Sequence, residues 1–363
     1  MRLLLFIVMT LSATAGQLLF IGTYTRTTSK GIYAVRLDEA TGALSTPVLA
    51  AATPSPSFLA FTPDRKALYA VSESNAMAAA FGTDLTHGTL HPLQPPQPSG
   101  GAAPCHLVVD ATSRTLLVAN YHTGIVAAIP LLADGTLGPP HAIQHTGHSV
   151  DPSRQTSPHV HSVTLSPDNR FALVCDLGLD RIFTYRLDAA KATLTPSEPP
   201  FVATPPGAGP RHFAFGTDGR HAYAITEMGS TVLAFDYDPV TGALAMRQML
   251  STLPADFKGV SSGAEIRLHP SGRYLYASNR GHDSIAGFAV DPATGRLSLI
   301  AITPCGGKTP RNFSLSPDGG WLVCANQNSN SLSVFRVDAT TGRLTPTGHT
   351  AEVPLPVCVL FAR

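Results

Sequence analysis

Arginine, histidine and carboxylate side chains recur at matching places along this 363-residue chain. When the sequence is aligned on its repeated Pro-Asp and Asp-Gly turns, His161, Arg211 and Arg311 fall in one column, beside Ser57, Cys105 and Ala264. His106, His212, Glu265 and Asn312 fill the next column. A second pair of columns holds Ser72, Asn120, Asp176, Thr226, Asn279 and Asn326, followed by Glu73, Tyr121, Leu177, Glu227, Arg280 and Gln327. Arginine keeps its charge and offers a planar fork of donors to a carboxylate, a phosphate or a developing oxyanion. Histidine and glutamate can be tuned to take a proton near neutral pH. Each of these residues alone suits a solvated loop, but several at one place would make a pocket of convergent polar groups. No GxSxG motif marks a serine nucleophile. His159-x-His161 and the loop histidines His141, His145 and His148 could be read as metal ligands, but histidines in such a polar stretch are expected to face solvent. No metal and no cofactor is expected.

The elements that must position these columns are short. In Pro210 to Leu244 an apolar run through Phe213-Ala214-Phe215 turns at Thr217-Asp218-Gly219. Ala222 to Thr226 and Val232 to Tyr237 follow, and Thr241-Gly242 turns into a further run at Leu244. Such runs between Asp-Gly and Thr-Gly turns read as antiparallel strands joined by hairpins. The unit recurs: seven leucines close successive copies at positions 44, 90, 137, 194, 244, 297 and 344. Four strands per repeat of roughly 40–50 residues is the signature of a β-propeller blade. The fold class is therefore all-β, a seven-bladed propeller in one domain.

The chain begins in mid-blade. Leu18 to Thr25, Gly31 to Leu37 and Leu44 to Ala50 form strands two to four, and the missing first strand lies at Val357 to Phe361. Pairing of the terminal strands would close the ring and remove its open edges. The remaining blades start at Phe58, Pro104, His161, Arg211, Glu265 and Arg311, and the longest connector runs from Gly138 to Pro158. In an up-and-down meander the start of strand one and the end of strand two share a face beside the central channel. The columns therefore meet at one channel mouth.

Ahead of the propeller, Arg2, the apolar run Leu3 to Leu11 and Ala13-Thr14-Ala15 have the pattern of a cleaved signal peptide over residues 1–16, which predicts a periplasmic or secreted protein over 17–363. A net charge of +1, with 13% charged residues, excludes the basic stripe that a nucleic-acid or membrane-surface partner needs. Five widely spaced cysteines and no CxxC indicate neither a disulfide framework nor a zinc site, and Cys175 and Cys324 are expected to be buried.

Ile21-Gly22-Thr23-Tyr24-Thr25, Ser157-Pro158-His159-Val160-His161, Gly209-Pro210-Arg211-His212-Phe213, Ala264-Glu265-Ile266-Arg267, Ser278-Asn279-Arg280-Gly281-His282-Asp283-Ser284 and Thr309-Pro310-Arg311-Asn312-Phe313 resemble the lactonase family of seven-bladed propellers. That family includes bacterial 6-phosphogluconolactonases and the fungal carboxymuconate lactonizing enzyme. The resemblance implies a sugar-lactone hydrolase, with a catalytic set of His161, Arg211, Glu227 and Arg280. Around it His159, His212, Glu265, Arg311 and Asn326 are expected to bind substrate. Hydrolysis needs an activated water, oxyanion stabilisation and protonation of the departing ring alkoxide. The arginines suit the oxyanion, and either Glu227 or His161 could be the base. A monomer acting on a small lactone is expected. The alternatives are an exported propeller that only binds a ligand or protein, and a carboxymuconate-type lactonizing enzyme.

Overall fold

The computed structural model describes residues 16–362. The proposed leader, apart from Gly16, lies outside them. Seven antiparallel sheets follow one another around a ring. Six are consecutive meanders, whose innermost strands are Leu59–Phe61, Pro104–Val109, Val160–Leu165, Pro210–Phe215, Ser262–Leu268 and Pro310–Leu315. The seventh has the terminal strand Pro356–Phe361 paired with Gln17–Thr23, in the register Leu19↔Phe361 and Ile21↔Val359. Closure by the two ends is thus as the strand count requires.

Two segments depart from the sequence reading. The connector after Leu137 contains a short outer strand, His141–Gln144, which completes its blade. The fifth of the consecutive blades begins at Ser262 rather than Glu265, because an irregular pairing between Gly263 and Ile266 absorbs an extra residue.

The core lies between blades rather than within them. Tyr223 and Ile225 of one blade, for example, pack with Leu275 and Phe288 of the next, all of them buried. This is face-to-face sheet packing repeated around a circle. The Thr-Gly turns latch neighbours together. Gly42 has φ +77° and lies so close to Trp321 that an added Cβ would come within 2.5 Å of the ring. Gly242 meets Phe171 in the same way. Glycine is needed here both for its left-handed conformation and for the close approach. All five cysteines are free and buried.

Candidate active site

The columns meet at the channel mouth because of a repeated irregularity. Pro210 pairs with Thr226 and His212 with Ile225, so Arg211 is an extra residue with no partner. His161, Arg311 and Cys105 are displaced likewise, between Val160 and Ser162, Pro310 and Asn312, and Pro104 and His106. A β-bulge re-aims a side chain that regular alternation would turn away. Arg211 and His212, though consecutive, can therefore belong to one cluster with the channel-facing groups of neighbouring blades.

The resulting pocket has a volume of about 280 Å³ and is lined by Tyr24, Glu73, Tyr121, Glu227, Arg280 and Arg311, among others. Glu227 is its electrostatic centre and is almost fully buried. Its Oε2 accepts from Arg211 Nε at 3.1 Å and pairs with Arg280 Nη2 at 2.9 Å, while Oε1 accepts from Arg154 Nη2 at 2.7 Å. Burial opposes ionisation of this carboxyl, but Arg280, Arg211 and Arg154 outweigh it and hold the group well below the usual carboxylate range. Arg211 also donates from Nη1 to Ala264 O at 2.6 Å and to His212 Nε2 at 3.3 Å. Burial and the nearby Arg280 and Arg311 push its guanidinium down to about 9, which leaves it a cation at neutral pH.

His161 lies with Nε2 3.9 Å from Glu227 Oε2, beyond hydrogen-bond reach. Burial, then the positive charge of Arg211, depresses its imidazole well below the ordinary value, so the ring is neutral at pH 7. Cys105 donates its thiol to His161 O at 3.3 Å from the side of the ring.

Arg311 differs from the arginines gathered on Glu227. Among the described residues its guanidinium has neither a hydrogen bond nor an ion pair; its central carbon lies 5.4 Å from the centroid of the Tyr24 ring. The Tyr24 hydroxyl is turned to Glu73, to whose two oxygens it donates at 3.2 and 3.1 Å. Arg280 Nε is likewise a buried donor without an acceptor. Unmet donors at a pocket wall are what an anionic ligand would satisfy.

Below the mouth is a second layer. His212 Nδ1 donates to Glu265 Oε1 at 3.1 Å, and Asn312 Nδ2 donates to Oε2. This leaves His212 with its Nε2 lone pair towards Arg211. Burial lowers its imidazole to about 4. Burial opposes ionisation of Glu265, but Arg267 and His212 outweigh it and take the carboxyl down to about 2.

Of the nine residues proposed from sequence, His161, Arg211, Glu227, Arg280 and Arg311 come together at the mouth. His212 and Glu265 lie one layer beneath, in contact with Arg211 but not with the pocket. His159 stacks on Tyr121 at 4.5 Å and donates from Nδ1 to Tyr121 O. It braces the pocket wall instead of lining it. Asn326 is fully buried and donates to Ser333 Oγ at 3.0 Å. Its amide also reaches Cys305 O, at 3.5 Å, in the loop that enters its own blade, so it is turned away from the channel. His145 also departs from expectation. It is buried, Nδ1 to Asp176 Oδ2 at 2.7 Å and Nε2 to Tyr185 OH at 2.9 Å, because the connector folds back as a strand. His159 and His161 thus have separate partners, and among the described residues no three His, Cys, Asp or Glu side chains converge as for a metal ion.

Arg154 was not among the residues expected from sequence. It is the arginine of the longest connector, and connectors into strand one lie on the same face as the mouth, so topology offered a signal for it. Tyr24 and Tyr121 had weaker signals, the first in the opening strand and the second in a column already drawn.

Fold and pocket together define a seven-bladed propeller with a polar, arginine-rich pocket at one channel mouth. The chain belongs to the lactonase family: the family model "Lactonase, 7-bladed beta-propeller" matches residues 18–361. It is thus a lactone-hydrolysing enzyme. A 6-phosphogluconolactonase of Bacillus subtilis is 38% identical over 345 residues, covering 94% of this chain and 97% of that protein. A 6-phosphogluconolactonase of Formosa agariphila is 32% identical, over 71% of this chain and 74% of the relative. The structure of a periplasmic gluconolactonase of Pseudomonas aeruginosa superimposes with a TM-score of 0.91 at 36% identity, covering 95% of this chain and 98% of that one.

Proposed function

We propose that this pocket hydrolyses a gluconolactone-type sugar lactone by direct attack of water. The observation that carries the reading is the guanidinium of Arg311, unpartnered among the described residues, which faces the same pocket as Arg154 and Arg280, both tied to Glu227. An aldonolactone gains negative charge twice, first as the tetrahedral oxyanion and then as the product carboxylate. Arg311 and Arg280 are the groups to receive it.

His161 is the base in this scheme. Both oxygens of Glu227 are occupied by arginines, and its depressed proton affinity makes it a poor acceptor. Neutral His161 takes a proton from water as the water oxygen bonds to the lactone carbonyl carbon and the carbonyl electron pair moves to oxygen. When the oxyanion collapses, the bond from the carbonyl carbon to the ring oxygen breaks, and His161 returns the proton to that oxygen. The acid formed loses its proton to solvent. Glu227 holds the arginines together at the mouth and stabilises the transient imidazolium.

The protein is proposed to act as an exported monomer, periplasmic or secreted. The pattern of residues 1–16 and the periplasmic relative support export. Among the described residues no helix is long and apolar enough to cross a membrane.

The test is acid release by pH-stat from glucono-δ-lactone and from its 6-phosphate, for the wild type and Arg311→Gln. Loss of one preorganised donor should cost roughly a hundredfold to a thousandfold in kcat/KM. If neither lactone opens faster than in buffer, the substrate assignment fails. Equal rates for the wild type and the variant would remove Arg311 from the mechanism.

A further inference from the structure

The Ala264-Glu265-Ile266-Arg267 segment contains an arginine that the active site does not use. Arg267 is two residues beyond Glu265 on the same innermost strand and so shares its face. It reaches the opposite end of the channel. There it lines a cavity of about 410 Å³ with Arg65, Phe61, Val109, Ser314 and Leu360, and no Asp or Glu is among the lining residues. That volume falls in the range of about 300–1,000 Å³ usual for small-molecule sites.

Among the described residues the ion pair of Arg267 is with Glu265, a carboxylate it shares with other donors. Its Nε is 3.4 Å from Glu265 Oε1 yet, among the described residues, is buried without a hydrogen-bond partner. Glu265 is already committed, because Oε1 accepts from His212 Nδ1 and Ile266 N and Oε2 accepts from Asn312. Among the described residues Arg65 donates only to Phe361 O, at 3.3 Å, with its guanidinium 5.5 Å from the Phe61 ring centroid. Two guanidinium groups on apolar walls, whose one neighbouring carboxylate among the described residues is the already committed Glu265, match a small carboxylate carrying an apolar body. Its oxygens would take the planar donors and its body the walls.

We infer that the lower mouth of the channel, at Arg267 and Arg65, is a second ligand site, for a short-chain or aromatic carboxylate. It is separate from the lactone pocket and does not rest on the lactonase mechanism. Benzoate is the probe, titrated calorimetrically into the full chain, with neutral benzamide as the control for apolar burial. Saturable one-to-one binding of benzoate, and none of benzamide, is expected. Removing a charge-assisted bond should weaken benzoate about tenfold or more in Arg267→Gln and several-fold in Arg65→Gln. Arg311→Gln, in the upper pocket, should leave its affinity unchanged. No saturable binding to the wild type overturns the assignment, and so does unchanged affinity in the Arg267 variant. Loss in Arg311→Gln also overturns it, since benzoate would then occupy the lactone pocket. Should Arg267→Gln fail to fold, Arg65→Gln decides, because Arg65 lies on an exposed turn, and unchanged affinity there rejects the site.

Discussion

Glu227 and Glu265 are both buried carboxylates of one channel, and both sit beside arginine and histidine, yet their surroundings differ in what is left over. Around Glu227 three arginines converge, and among the described residues Arg280 keeps an unmet donor while the nearby Arg311 has neither a hydrogen bond nor an ion pair. Around Glu265 the carboxylate is saturated by a histidine, an asparagine and a backbone amide, and the unmet donor beside it, Arg267 Nε, belongs to the opposite mouth of the channel. Its Asn312 is itself fixed, since the Val359 amide of the closing strand donates to Asn312 Oδ1 at 2.8 Å. A saturated buried network specifies geometry. A network with donors to spare binds something. The upper layer is thus proposed to do the chemistry, and the layer below holds Arg211 in place and ties it to the closing strand of the ring.

Replacing Glu227 should break this contrast most severely. Glu227→Gln leaves Arg211 buried without its counter-charge, and breaking a buried pair typically costs about 3–5 kcal/mol. Turnover should be abolished and the denaturant midpoint should fall with it. Loss of turnover with an unchanged midpoint would instead make Glu227 the base and displace His161 from that role.

His161→Asn should lower kcat by about a hundredfold to ten-thousandfold, the range for general acid–base catalysis, with little change in stability. The wild-type kcat/KM should fall on the acid side of the ordinary histidine value, because only the neutral ring accepts a proton. The variant should lack that acid limb. An unaltered profile in the variant would assign the limb to another group.

Glu265→Gln should affect stability more than turnover, with a loss of about 1–3 kcal/mol for an unsatisfied buried partner and under tenfold in kcat/KM. The same layer predicts a pH dependence. The folded-state value of His212 lies near 4 and its unfolded value near 6.5, so the unfolded chain takes up the proton first as pH falls. Its contribution is therefore complete above about pH 6.5 and lost by about pH 4. Melting temperature should decline across that window, and less steeply in His212→Gln. Equal slopes in both proteins would discharge His212.

Arg296→Ala supplies the small end of the scale. This residue lies in an exposed rim turn, so stability should change by less than about 0.5 kcal/mol and turnover not at all. A large effect there would remove the distinction between channel and rim.

Strand order, blade count and ring closure were legible in the chain itself, because two-residue periodicity and Thr-Gly turns are local properties and the repeat multiplies the signal. The same alignment placed Arg211, Arg280, Arg311, His161 and Glu227 at one mouth from topology alone. It could not tell a side chain on the channel from one beside it. Asn326 and Glu227 occupy successive columns near the ends of their second strands, yet Asn326 turns into its own loop while Glu227 faces the mouth. Arg154 reaches Glu227 across 73 residues of sequence on a connector with no repeat to align. The bulges at Cys105, His161, Arg211 and Arg311 depend on one unpaired residue in each ladder, which hydrophobic periodicity does not record. Local pattern therefore determined the scaffold and the neighbourhood of the site. Which donors remain free was decided only when seven blades met around one channel, since satisfaction of a buried polar group is a property of everything that surrounds it.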